Sequence, residues 1–293
     1  MIHHYLRQIY RFIYPLIYAR SQFKLFLKAS LQDIRLRTLA LASVTDYFSG
    51  FVRPVPITAP FGQAMLVLAP HQDDEAIGCG GALALQVRAG CDAAILLLTD
   101  GAEGCEELGL TPQAATEIRN NESIKAAAVI GMEPPVFLGH KSLDVGFSRA
   151  VEQIRNEIIR RTADAIFVPF VLDGHPDHRT TNYLLAEALA GIQRPIRILQ
   201  YEVWGLCIPN VVLVIDDVME AKVDMLNCFA LANSALDYTH STKGLNMFHS
   251  RMLGAGVCRY AERYFELPAS EYIELVRKVR QDAAAARLNP GSL

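Results

Sequence analysis

Three observations predict an α/β fold, a Rossmann-like and mostly parallel sheet with helices on both faces. From about residue 62, short apolar runs alternate with longer segments of helical periodicity, the pattern of βαβ units. The composition, 51% hydrophobic and 20% charged over 293 residues, suits one large domain with an appendage. It excludes a disordered, collagen-like or disulfide-scaffold chain. No internal repeat or low-complexity tract interrupts the alternation.

Taken in order, residues 1–61 read as an N-terminal amphipathic helical extension. Ile2, Tyr5, Leu6, Ile9, Tyr10 and Ile13 follow the i, i+3, i+4, i+7 spacing of one helical face, with Arg7 and Arg11 off it. Beyond Pro15 the stripe resumes with Phe23, Leu27, Leu31 and Ile34, flanked by Lys24, Lys28 and Arg35. Residues 1–53 carry eight Lys/Arg against two Asp/Glu, whereas the remaining 240 carry 20 against 29. A basic flank beside an aromatic-rich apolar face suits peripheral contact with an anionic membrane. The same face suits the protein's own core or a homo-oligomeric contact, and amphipathicity alone does not distinguish these covers. A spanning helix needs about 20 mostly apolar residues. The uncharged runs 12–19 and 203–215 are shorter and each contains a proline, so no transmembrane segment is predicted. The six cysteines form no CxxC pair and follow no signal peptide. Free thiols are therefore expected, in a cytoplasmic protein that is peripheral at the inner membrane face if the extension binds lipid.

Residues 62–293 read as the main domain. A first strand over 65–69 leads through a polar turn to a helix near 80–89. A second strand over 93–99, a glycine-rich loop and a helix over 112–130 follow, then a short third strand at 136–138. Val151, Ile154 and Ile158 mark the apolar face of the next helix. The fourth strand covers 165–170, and beyond a histidine-bearing loop a helix runs to about residue 190. Late strands are expected at 196–204 and 211–215, with a mostly helical part from Val218 onward. In such sheets ligands bind beyond the carboxyl ends of the strands, where strand order reverses. With the order 3-2-1-4-5, the loops after the first and fourth strands face one another.

Those two loops hold the chemistry. After the first strand come Pro70, His71, Gln72, Asp73, Asp74 and Glu75; after the fourth come Asp173, Gly174, His175, Pro176, Asp177 and His178. Adjacent carboxylates near a low-dielectric core are costly unless a cation offsets them. Pro176 suits the first helical position, which puts His175 at the cap and His178 in the first turn. His, Asp and His around one volume make a reasonable catalytic zinc site with a position left for water, though Fe2+ or another divalent ion would accept the same ligands. Spacing alone leaves Asp73 and Asp74 interchangeable.

The chain resembles the LmbE/PIG-L family of zinc-dependent N-acetylglucosaminide deacetylases, whose motifs are (A/P)H(P/x)DDE and HPDH or HxxH. The resemblance spans roughly residues 65–205. It includes Thr99, Asp100, Gly101, Glu103 and Gly104 in a T-x-G-x-x-G position and Arg119 with Glu122 in an R-x-x-E position. Gln72 departs from the family, where proline is common. The resemblance implies that His71, Asp74 and His178 bind the metal, that Asp73 is the general base for the attacking water, and that a protonated His175 stabilises the oxyanion. Acetate and a free amino sugar would be the products.

Arg119 and Asp100 are expected to hydrogen-bond sugar hydroxyls, with an ion pair to Glu122 as the structural alternative for Arg119. Glu75 is expected to orient the groups around the metal. Gly78, Gly80 and Gly81 permit close helix–strand approach and match no dinucleotide motif. Cys79 and Cys91 read as small buried residues, and His240 and His249 as ordinary surface histidines. Two other functions fit the same residues: deacylation of another N-acyl substrate, such as a thiol-glycoside or antibiotic intermediate, and non-catalytic sugar binding at a membrane. The acidic main domain offers no basic stripe for nucleic acid.

Overall fold

The computed structural model describes residues 54–288; of the helical extension expected over 1–61, residues 1–53 lie outside the described residues, and 54–61 carry the strand Val55–Ile57 rather than a helix. In chain order the elements are β1 (Val55–Ile57), β2 (Ala64–Ala69), α1 (Asp74–Arg88), β3 (Asp92–Thr99), α2 (Pro112–Val129), β4 (Val136–His140), α3 (Phe147–Arg160), β5 (Ala165–Pro169) and α4 (Pro176–Leu189). They continue with β6 (Arg197–Tyr201), β7 (Val211–Val214), α5 (Met219–Asn227), α6 (Ala230–Ala235), α7 (Tyr238–Ser250), β8 (Ala261–Pro268) and α8 (Ala269–Leu288). The strands form one sheet in the order β1-β7-β8-β6-β5-β2-β3-β4, parallel except where β8 runs antiparallel to β6 and β7. Residues 54–285 make one compact unit, which includes β1 through its pairing with β7.

The stretch β4-β3-β2-β5-β6 has the expected 3-2-1-4-5 order. From β2 the chain steps outward through α1 and α2, then returns to the other side of β2 and steps through α4. Right-handed crossovers therefore put α1 and α2 on one face of the sheet and α3 and α4 on the other. β2 and β5 are buried along their whole length, as central strands covered on both faces must be. The direction of travel reverses between β2 and β5, so both carboxyl-terminal loops open on the same crevice.

The region from Val218 onward is mostly helical, as expected, but it also carries one strand that the sequence did not show, β8, which is inserted between β6 and β7. Its hydrophobic alternation is masked because Glu262 and Arg263 are buried on charged partners. The helix expected near residue 80 begins at Asp74 and contains a kink at Cys79 (φ −145°, ψ 24°). Below the kink, Ile77 O accepts from Lys222 Nζ at 2.9 Å; above it, Gly81 N and Ala82 N donate to the Glu262 carboxylate at 2.8 Å each. Lys222 Nζ lies 2.6 Å from Glu262 Oε1, and Tyr264 Oη donates to Oε2. This buried group satisfies the backbone atoms that the kink frees. A Cβ at Gly78 would sit 2.1 Å from Tyr201 Cδ2, so the first turns of α1 can press onto β6 only without a side chain there.

Candidate active site

The β2–α1 loop is fixed before any ligand is considered. Thr99 at the end of β3 donates through both its amide (3.0 Å) and its hydroxyl (2.8 Å) to Pro70 O. Asp73 caps α1 with φ at +122°, a strained conformation for a residue with a side chain. Its amide donates to Glu75 Oε2 at 3.1 Å, and its carbonyl accepts from Ala76 and Ile77. Glu75 thus holds the backbone of Asp73. Across the crevice, α4 starts at Pro176 with His175 as its cap, as the sequence predicts.

His71, Asp74 and His178 converge. Asp74 Oδ2 lies 3.2 Å from His71 Nδ1 and 3.3 Å from His178 Nε2. Tetrahedral N and O ligands at zinc bond lengths stand about 3.3 Å apart, so this set fits a divalent ion. The second nitrogen of each ring faces another carboxylate, His71 Nε2 at 3.1 Å from Asp177 Oδ2 and His178 Nδ1 at 3.1 Å from Asp173 Oδ1. Such carboxylates fix ring orientation and leave the other nitrogen's lone pair for a metal. The His178 ring is fully buried, yet neither nitrogen has the alignment of a true hydrogen bond. A ligand bond would satisfy Nε2 there. His175 also contributes a ring nitrogen within 4.8 Å of those of His71 and His178, but Asp74 completes the tighter triplet.

The electrostatics favour positive charge at this point. Burial opposes charge on both rings, but Asp177 and Asp74 push His71 up to about 9, and Asp74 and Asp173 push His178 up to about 10. Burial likewise disfavours the Asp74 carboxylate, which His178 and His71 nonetheless hold well below the usual range. Asp73 behaves oppositely: burial pushes its carboxyl up to about 7, with Arg119 restraining the rise.

His175 stands at the cap of α4. Its Nδ1 accepts from Asp177 N at 3.2 Å, while burial and the neighbouring His71 and His178 lower its pKa. An imidazole that accepts at Nδ1 carries its hydrogen on Nε2.

Arg119, expected to meet substrate or Glu122, borders the cavity and holds the β2–α1 and β3–α2 loops rather than Glu122. It donates to Gln72 O at 2.6 Å, Asp73 Oδ2 at 3.1 Å and Gly101 O at 3.2 Å, while Glu122 accepts from Leu231 N. Gln72 is fully buried and bonds Asn120; its amide occupies the place of a Cβ at Gly101, whose φ is +70°. Asp100 accepts from Ala102 N and borders the cavity. That cavity, of about 250 Å3, is also bordered by His71, Asp73, Asp74, Arg119, Lys141, His175, Trp204 and Tyr238. His240 is exposed, but His249 is buried beside Glu202 and borders a different, much smaller cavity. All six cysteines are free; Cys79 is buried, whereas Cys91 is half-exposed rather than buried.

Sequence reasoning assigned no role to Asp173, Asp177 or Trp204. The first two were visible as carboxylates inside the histidine motif. Nothing local marked Trp204, which reaches the cavity through tertiary folding.

The PIG-L family, described as GlcNAc-PI de-N-acetylase, matches residues 66–189, which run from β2 to the end of α4. The chain is 30% identical over 142 residues to a diacetylchitobiose deacetylase of Thermococcus kodakarensis, a match covering 46% of this chain and 52% of that protein. The chain thus spans about half the length of this curated relative. The solved N,N'-diacetylchitobiose deacetylase of Pyrococcus horikoshii has a TM-score of 0.60 at 23% identity, covering 72% of this chain and 85% of that one. A conserved protein of Thermus thermophilus has a TM-score of 0.59 at 25% identity, covering 70% and 94%. The matched stretch holds both motif loops, and over residues 66–189 the chain is similar to the PIG-L family.

Proposed function

We propose that this protein is a metal-dependent hydrolase that removes the acetyl group from an N-acetylated amino sugar. The observation that supports it most directly is the convergence of His71 Nδ1, Asp74 Oδ2 and His178 Nε2 beside a second carboxylate, Asp73, that faces the cavity. Relatives with the same scaffold are named as deacetylases of diacetylchitobiose.

Zn2+, or Fe2+ in its place, held by His71, Asp74 and His178 would polarise the acyl carbonyl and acidify water. Asp73 has Oδ2 engaged by Arg119, which leaves Oδ1 to accept the proton of the attacking water. A carboxyl near 7 suits that task at neutral pH. His175 Nε2–H, held by the cap hydrogen bond on its other nitrogen, donates to the oxygen that gains charge as the carbonyl is attacked. Asp177 and Asp173 keep the His71 and His178 rings from turning. Asp100 and Arg119 lie along the cavity wall, where Asp100 is positioned to accept from a sugar hydroxyl. The amine leaves with a proton returned from Asp73.

Acetate release from free, nucleotide-linked and lipid-linked N-acetylglucosamine tests the reading. Release that survives complete metal removal would overturn it. The basic extension would bring such a site to a lipid-linked substrate. Liposome co-sedimentation of the full chain against one lacking residues 1–53 tests that part, and equal binding would refute it. Among the described residues no helix is long and apolar enough to cross a membrane.

A further inference from the structure

Trp204 is the chain's single tryptophan. It lies in the β6–β7 loop on the border of the cavity and is 55% exposed. A tryptophan recruited for packing would be mostly covered. Here the ring meets Tyr238 edge-on, with centroids 6.1 Å apart and planes at 84°, which leaves much of the indole surface open. The loop beneath it is fixed: Trp204 N and Gly205 N donate to Asp173 Oδ2 at 3.0 and 2.9 Å. The other oxygen of Asp173 accepts from His175 N at 2.9 Å and lies 3.1 Å from His178 Nδ1. A Cβ at Gly205 would lie 3.2 Å from Asp173 Cα, so a side chain there would require the two loops to give by a few tenths of an ångström. One buried carboxylate therefore sets both the metal-side histidine and the height of the indole above the cavity.

The cavity is about 250 Å3, below the ~300 Å3 lower bound of sites for drug-sized ligands. A cavity of this size suits about one amino sugar, and Trp204 and Tyr238, which border it, offer an aromatic surface to whatever is linked to that sugar. An indole face is the electron-rich partner for the apolar C–H face of a pyranose. We propose that Trp204, backed by Tyr238, is a saccharide subsite that stacks on the pyranose linked to the reacting amino sugar. The inference rests on the deacetylase reading and adds to it the residue that would hold the linked sugar.

Because Trp204 is the sole tryptophan, intrinsic fluorescence reports on this subsite directly. The zinc-loaded full chain carrying Asp73→Asn is titrated with N-acetylglucosamine and with its β-1,4-linked disaccharide, and turnover is measured separately on the protein without that change. The disaccharide is expected to shift the emission saturably, at about five- to tenfold lower concentration than the monosaccharide. Trp204→Ala is expected to reduce kcat/KM for the disaccharide about five- to tenfold more than for the monosaccharide, and Trp204→Phe to restore part of the difference. Equal losses on both sugars would mean a structural role and overturn the subsite. Deacetylation of the disaccharide with no emission shift would also overturn it while leaving the reaction assignment intact. A saturable shift without deacetylation of either sugar would overturn the reaction and retain the subsite.

Discussion

Replacing Arg119 by Met separates two roles that its position at the cavity wall would permit. In the structure its guanidinium is 3.1 Å from Asp73 Oδ2, with the two side chains only 14% and 11% exposed. At an effective dielectric of about 20, unit charges about 4 Å apart attract by ~4 kcal/mol. Residual solvent and relaxation reduce this to roughly 1.5–3 kcal/mol, or about 1–2 pKa units. Removing the cation disfavours the ionised carboxylate, so the Asp73 pKa rises and the acidic limb of kcat moves to higher pH. For a base near 7, the ionised fraction at pH 7 falls about five- to fiftyfold and is largely recovered at pH 9. The assay is acetate release by the metal-loaded enzyme across that pH range. Arg119→Lys keeps the charge and should move the limb less. An unmoved limb with a raised KM would refute the reasoning and return Arg119 to the substrate-binding role that the sequence suggested.

Asp73→Asn should retain bound metal and lose about 100-fold or more of kcat, whereas His178→Ala should lose metal and activity together; metal analysis of the Asp73→Asn protein that finds none would reverse the assignments of Asp73 and Asp74. In the metal-free protein His71 and His178, pushed up to about 9 and 10, hold protons at pH 7. Metal uptake should then release about two protons, and the apparent Kd should fall as pH rises from 6 to 8; calorimetry in buffers of different ionisation enthalpy that detects no release would contradict this. Lys222→Met leaves Glu262 charged and buried beside the α1 kink, a loss of about 3–5 kcal/mol that should lower Tm by about 10 °C. A fall under about 2 °C would show that the Gly81 and Ala82 amides suffice for Glu262.

The central βαβ order was legible because strands buried on both faces read as unbroken apolar runs and the motif loops follow them directly. α1 was legible only from residue 80, because its first turns carry carboxylates and glycines, which are poor helix formers. β8 was not legible because its buried charges have partners far away in the chain, Glu202 for Arg263 and Lys222 for Glu262. Hydropathy reads a charged residue as exposed, and only the tertiary partner makes it a core residue.

The same division holds at the site. Sequence by itself determined which residues offer nitrogen and oxygen atoms at the site, because residue type and motif are local properties. It also determined that both loops sit at strand ends. Only the tertiary structure decided which atoms face which: Arg119 on Asp73 rather than Glu122, His175 Nδ1 on the Asp177 amide, and Asp173 joining His178 to the Trp204 loop. The physical reason is range. A ligand's identity is written at one position, whereas its protonation and orientation are set by partners such as Arg119 and Asp73, 46 residues apart, which meet only after the sheet has formed.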